Sequence, residues 1–165
     1  MAPRSLLRHL VRSDRGVALV EFAFALPLLI MLFAVIIEGG RMMWSYQTAV
    51  AEVRNAARYV GRVVHSDICT SGKTVADYVS VSDLATHLSG VLPTQVQLDT
   101  TVPPGVTVTR TCVAGSFRLA STPIATVSAK VRINLPFEGL FDIVGLGMAP
   151  YLVTTITDNT RVFGS

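Results

Sequence analysis

The stretch VALVEFAFALPLLIMLFAVII, residues 17–37, decides how this chain is organised. Its 21 residues carry a single charged side chain, Glu21, and about 20 apolar residues suffice for a helix to cross the ~30 Å hydrocarbon core of a bilayer. A secretory signal peptide has a shorter apolar core that ends in a small-residue cleavage site, and no such site follows this run. The stretch therefore predicts a retained membrane-spanning helix over residues 17–38.

Composition and charge narrow the function classes. The chain has 165 residues, of which 50% are hydrophobic and 15% charged, so a disordered chain and a multidomain enzyme are both excluded. The basic leader, residues 1–16, accounts for the whole formal charge of +3. Residues 17–165 are neutral overall, which argues against nucleic-acid binding because phosphates need basic side chains across the folded surface. The positive-inside bias predicts a cytoplasmic leader, with everything after the span outside.

Two residues interrupt the apolar span. Glu21 lies five residues from its cytoplasmic edge, and a carboxylate at the bilayer centre costs about 3 kcal/mol, so such a residue usually pairs with a partner or marks a functional site. The alternative is that Glu21 reaches the headgroups, because it lies within about 8 Å of the edge. Pro27 removes one helix hydrogen bond and can kink the span.

The amino-terminal end of the span carries a motif made of several parts. Residues 15–22, RGVALVEF, join the basic leader and a glycine to four apolar residues, a glutamate and an aromatic. This resembles the processing site of type IV prepilins, where a membrane aspartic peptidase cuts after the glycine. Over residues 15–61 the RG-x-x-x-VEFA start, the LP within the span and the E-x-GR exit resemble the TadE-like family, pseudopilins of the tight-adherence (Flp) pilus machinery. The exit has Gly39 where the family more often has an aromatic residue.

The resemblance implies roles and partners for these residues. Cleavage between Gly16 and Val17 would create an α-amino group one helical turn from Glu21, which could pair with that amine or with the amine of a neighbouring subunit. Glu21, followed by Phe22, would then set assembly register. The implied partners are a prepilin peptidase, the major pilin with sister minor pilins, and an assembly platform with its ATPase in the bacterial inner membrane. The alternative is an uncleaved single-pass anchor that displays a periplasmic binding domain.

Beyond the span, the period of the apolar residues remains helical. Residues 41–64 predict an amphipathic helix that continues the span, assigned to residues 39–65. Gly39 and Gly40 each cost a helix about 1 kcal/mol, so a hinge is predicted at the outer membrane face. The alanine-rich face of this helix is expected to pack on the head of the same chain, or alternatively on a sister subunit.

Residues 66–165 are predicted to form a small periplasmic head, which makes the fold class α+β. A second helix is expected from Val75 to Leu92, closed by Pro93. Alternation of apolar with Thr, Ser, Arg and Lys residues predicts four antiparallel strands. Their expected ranges are residues 96–102, 106–113, 124–135 and 151–163. A turn at Pro103-Pro104-Gly105 separates the first two.

The two cysteines, Cys69 and Cys112, predict a disulfide if the head is exported. The bridge would close a loop of about 43 residues and contribute on the order of 3 to 4 kcal/mol. The alternative is two buried thiols. There is no CxxC motif, and the chain has only 3 histidines, so no metal site is predicted.

A search for hidden chemistry finds two weak patterns. Residues 71–74, SGKT, end like a phosphate-binding loop, but Asp67 stands where the first glycine is required. Asp83 and His87 are four apart on the expected second helix, but no nucleophile can be named beside them. A solvated helix pair explains them better. We therefore expect no catalytic residues, no cofactor and no enzymatic activity.

Overall fold

The computed structural model describes residues 15–101, 103–116, 121–135, 139, 145 and 149–164. Most of the predicted leader thus lies outside the described residues. In chain order the elements are α1 (Arg15–Val63), a 3-10 turn (Val75–Asp77), α2 (Val81–Val91), β1 (Val96–Leu98), β2 (Val106–Ala114), β3 (Ser121–Asn134) and β4 (Tyr151–Arg161). A long apolar helix followed by an antiparallel sheet with a short helix confirms the predicted α+β class.

The chain divides into two units, which are described separately. The first comprises Met1–Gly40 with Phe137–Met148, and the second comprises Arg41–Pro136 with Ala149–Ser165. Among its described residues, the first unit contains the amino-terminal part of α1.

The helix α1, of 49 residues, passes through Pro27 without ending, because a proline removes only one hydrogen bond from the helical ladder. It also continues through Gly39 and Gly40, and the hinge there stays a prediction.

In the second unit, β3 is the central strand of the sheet. β4 pairs antiparallel with one side of it, along residues 124–134. β1 and β2 pair with its other side in succession, β1 with residues 131–133 and β2 with residues 121–129. β1 and β2 therefore form one interrupted edge strand, and the predicted turn at residues 103–105 lies at the interruption, with Gly105 at φ +77°.

The core of the second unit lies between the outer part of α1 and one face of this sheet. Every second residue of β3 points into it, and all of these are buried: Ala125, Val127, Ala129, Val131 and Ile133. The helix contributes buried residues at helical spacing, including Ala49, Val53, Ala57, Val60 and Val64. Because side chains return to the same face every two residues in a strand and every 3.6 residues in a helix, β3 and α1 each present one apolar face, and these two faces pack together. The alanine-rich face is thus buried within its own chain.

The last described residues fasten the sheet to the end of α1. Phe163 donates its backbone N–H to the carbonyl of Gly61 at 2.8 Å, and Gly164 forms a parallel bridge with His65. A Cβ added to Gly164 would clash with the carbonyl oxygen of Val64, and one added to Gly61 would lie 2.9 Å from that of Arg161. Only glycines allow this close approach of two backbones.

The predicted second helix is wrong in one respect, because residues 75–92 form two pieces. Thr74 donates its backbone N–H to the carboxylate of Asp77 at 2.6 Å, which closes the 3-10 turn and lowers the pKa of Asp77. Ser80 then begins α2 by accepting a hydrogen bond from the N–H of Asp83 at 3.3 Å. Short polar side chains that bind nearby backbone groups end one helical segment and start another.

The strand boundaries differ from the predicted ones at five ends, two of them by a single residue, since β2 ends at Ala114 rather than 113 and β3 at Asn134 rather than 135. β1 ends at Leu98, before the predicted end at residue 102, which lies outside the described residues. β4 ends at Arg161 rather than 163, because the chain turns onto α1. β3 begins at Ser121, three residues early, where it continues to pair with the end of β2.

Candidate membrane and assembly segment

Residues 16–37 of α1 present an apolar surface that is largely exposed. The helix is long and apolar enough to cross a membrane, and only 6% of its most apolar window is buried. The exposed large apolar side chains are Val17, Leu19, Val20, Phe22, Phe24, Leu26, Leu28, Leu29, Ile30, Leu32, Phe33, Val35, Ile36 and Ile37. The core helix of a soluble protein would be mostly buried. An apolar surface of this extent needs lipid or protein around it.

The motif residues predicted for processing lie in the first turns of α1. Gly16, Val17 and Glu21 line one shallow concavity, with Val17 and Glu21 a helical turn apart. A Cβ added to Gly16 would meet nothing within 4 Å. Packing within the described part of the chain therefore does not require glycine at this position.

Glu21 is exposed, and no hydrogen bond or ion pair engages it within the described part of the chain. Phe22 beside it is 63% exposed. Both side chains are thus available to a partner. Their assembly roles, and the cleavage between Gly16 and Val17, stay predictions.

A second carboxylate of α1 has a different environment. Glu38 is only 8% exposed, and Ala34, one turn before it, is also buried. Sequence reasoning treated Glu38 only as the glutamate of the E-x-GR exit and missed its burial. Its spacing of four from Ala34 is the signal that could have suggested a covered face.

Comparison with known families finds a match that includes the motif residues at the start of α1. Residues 16–58 match the family model described as TadE-like protein. This part of the chain is similar to that family. The resemblance predicted from the sequence motif is therefore confirmed, and it associates the chain with the Tad pilus machinery in general. No curated protein and no solved structure matches the chain.

The TadE-like match ends before the disulfide, which belongs to the second unit. Cys69 and Cys112 are bonded, with their Cα atoms 5.9 Å apart, so the predicted bridge is confirmed. The bond links the segment after α1 to β2. Arg110, also on β2, donates to the backbone carbonyl of Ile68, and the two contacts together fix this segment on the sheet.

Beyond the TadE-like segment, a charge cluster centred on the buried carboxylate of Asp99 lies at the interruption between β1 and β2. Asp99 is 3% exposed and lies 3.1 Å from the Nζ of Lys130 and 3.7 Å from the guanidinium of Arg132. Its carboxylate also accepts the backbone N–H of Thr101 at 3.1 Å. The Thr101 bond foremost, and then Lys130, lower the pKa of Asp99. Sequence reasoning missed this cluster, although an aspartate just before a turn, here four residues before Pro103, often binds the backbone N–H two residues on.

The structure describes the two weak patterns found in the sequence, residues 71–74 and the pair Asp83 and His87. In residues 71–74, Lys73 lies over the ring of Tyr78, with its Nζ 5.3 Å from the centroid. No hydrogen bond or ion pair joins Asp83 and His87 in the described structure, although both lie on α2. Within the described ranges, no three His, Cys, Asp or Glu side chains form a group that could hold a metal ion.

Proposed function

We propose that this chain is a pseudopilin or minor pilin that takes part in the assembly of a tight-adherence (Flp) pilus. One observation carries the proposal: the TadE-like match falls on an exposed apolar helix whose mouth has the glycine, four apolar residues and glutamate of a pilin-type motif. The role proposed is structural, without catalysis. The described residues of the head supply a folded surface rather than a recognisable reaction centre.

In this proposal a prepilin peptidase removes residues 1–16. The exposure of Val17 and the absence of any packing reason for Gly16 support processing at this bond. Because glycine has no Cβ, it permits the close, extended backbone approach that a peptidase needs. The new α-amino group at Val17 would then start the helix.

Glu21 is the proposed assembly residue. In a membrane its charge is costly unless it is paired, and after cleavage the nearest suitable partner is an α-amino group, from its own chain or from a neighbouring subunit. Pairing with a neighbour relieves two buried charges at once and fixes the axial register between subunits. Phe22 and the surrounding apolar side chains would pack against other pilin helices.

The proposed location is the bacterial inner membrane, with the leader in the cytoplasm and the head in the periplasm. The basic leader and the Cys69–Cys112 disulfide support this orientation, because disulfides persist in oxidising compartments. The proposed partners are the major pilin, sister minor pilins, and the assembly platform with its ATPase. Incorporation into an extracellular pilus is the final step.

The deciding experiment is the intact mass and amino-terminal sequence of the protein recovered from its host's membranes. We expect loss of residues 1–16 with Val17 at the terminus, with or without one added methyl group. A Gly16→Leu variant is the matched control and should keep its leader, because a large side chain blocks the backbone approach. An intact leader in the unaltered protein would contradict processing and leave the uncleaved anchor.

A further inference from the structure

A groove of about 580 Å³ lies within the second unit, between the outer part of α1 and residues 78–88. Its volume is in the range of binding sites for side chains and small ligands. The carboxylates of Glu52 and Asp83 and the rings of Tyr59 and Tyr78 line it. The groove is therefore bounded by two acidic groups and two aromatic ones.

The chemistry of this lining favours a cation. Of the described residues that line the groove, only His87 can carry a positive charge. Glu52 accepts one long hydrogen bond, from Asn55 at 3.4 Å, and Tyr59 is 54% exposed. Carboxylates bind a guanidinium through charge-assisted hydrogen bonds, and a phenol ring attracts a cation to its face. A guanidinium from another molecule satisfies both kinds of group.

The same helix presents a row of guanidinium groups in another direction. The arginine row consists of Arg54, Arg58 and Arg62, spaced by four residues. Arg54 approaches Asp158 at 4.0 Å. Arg58 and Arg62 are exposed, and within the described residues no ion pair or hydrogen bond engages them.

Helical geometry separates the groove from the arginine row. At about 100° per residue, Glu52 and Tyr59 fall on one side of the buried stripe formed by Val53 and Val60. Arg54 and Arg58 fall on the other side of that stripe. Arg58 leaves the helix about 100° around from Tyr59, so its side chain points away from the groove of its own chain, whereas a second copy can place the same side chain in that groove.

We propose that the groove between α1 and α2 binds the arginine row of a second copy of this chain, with Arg58 as the inserted side chain. The inference rests on the proposed assembly role. The contact joins two different surfaces, so in a pair one copy keeps a free groove and the other keeps a free arginine row. Contacts of this head-to-tail kind repeat from copy to copy, into a ring or an open helical array, rather than closing a two-fold dimer.

The test is site-specific photo-crosslinking of the full-length protein in its host's membranes. Asn55, an exposed residue at the groove, is replaced by benzoylphenylalanine, and adducts are identified by mass spectrometry. We expect an adduct to the peptide containing Arg58 and Arg62 of a second copy. The same photo-reactive residue in place of Thr107, exposed on β2, is the control and should not give this adduct.

Charge reversal tests the pairing itself. Arg58→Glu should lower the yield of the adduct about fivefold, as for loss of a partly exposed ion pair. Combining it with Asp83→Arg should restore the yield, because the reversed charges again attract. Normal formation of the Cys69–Cys112 disulfide, read on non-reducing gels, shows that each variant folds.

Three outcomes would overturn the inference: no adduct, an adduct only to a different protein, or a yield unaffected by charge reversal. The mass of the same samples reports leader removal, which keeps the two proposals separate. A processed chain without the adduct contradicts only the groove contact. An intact leader contradicts the proposed function whatever the crosslink shows.

Discussion

The two parts of α1 have opposite relations to their surroundings. Residues 17–37 carry Phe, Leu and Ile all around the helix, and nearly all are exposed. Residues 49–64 carry Ala and Val on one side, all buried against the sheet, and arginines on the other. A helix that is apolar all round requires a partner or a bilayer, whereas a one-sided helix finds its partner in its own chain. The two parts of α1 are distinguished by how apolar side chains are distributed around the helix, more than by how many there are.

The largest effect is expected from removing Glu21, the single carboxylate within residues 17–37 of α1. Glu21→Ala should leave leader cleavage and head folding intact yet abolish incorporation into pili, because the amine of the neighbouring subunit loses its partner. Incorporation is measured by the amount of the chain in sheared pilus fractions. Glu21→Asp, which keeps the charge, is the control and should retain part of it. Incorporation of Glu21→Ala at the unaltered level would contradict the assembly role.

The next largest effect is expected in the head. Replacing both Cys69 and Cys112 by serine should lower the free energy of unfolding by about 3 kcal/mol, because the unfolded chain regains the freedom of the closed loop. Pulse proteolysis in urea on the detergent-solubilised full chain measures this change. Reduction of the unaltered protein should give the same shift. A stability unchanged by both treatments would show that the bridge contributes nothing.

Matched valine truncations compare the two parts of α1 directly. Val53→Ala, at a fully buried position, should destabilise the head by about 2 kcal/mol through the cavity it leaves. Val20→Ala, at a position 53% exposed, should leave unfolding of the head unchanged. The same urea experiment measures both. Equal effects of the two variants would mean that the amino-terminal part also contributes to the stability of the head.

The smallest expected effect is a dependence on acid. The pKa of Asp99 is lowered from its ordinary value of 3.8, so its contribution to stability is fully present above that value and is lost as the pH falls through the lowered folded-state pKa. Unfolding monitored from pH 6 to pH 2 should show this loss. Asp99→Asn should show less acid sensitivity than the unaltered protein, and an identical pH profile would contradict the assignment.

Much of this fold could be predicted from local patterns, while features that depend on pairing could not. Alternation along β3 and the helical period of residues 41–64 located the core elements, because each period directly reflects which face is buried. The disulfide was predictable because only two cysteines exist. The succession of β1 and β2 along one edge was not, since strand order is a long-range property. The Asp99 cluster likewise depends on Lys130 and Arg132, about 30 residues away.

For the candidate site, sequence identified the motif and structure supplied its setting. RGVALVEF could be recognised from order and spacing alone, since processing and insertion act on linear segments. That Gly16 has no packing constraint, and that Glu21 is exposed while Glu38 is buried, could be learned only from coordinates. The groove between Glu52 and Asp83 depends on how α2 sits against α1, which no local pattern specifies.

The position of β4 in the chain has a consequence for biogenesis. This strand completes the pairing of β3, and the residues after it dock on the end of α1, yet it is synthesised after β1, β2 and β3. The helix α1 is synthesised before all four strands. At about 5–20 residues per second, translation completes α1 several seconds before the sheet can close. The order of synthesis thus exposes the apolar helix to its surroundings while the head is still unfolded.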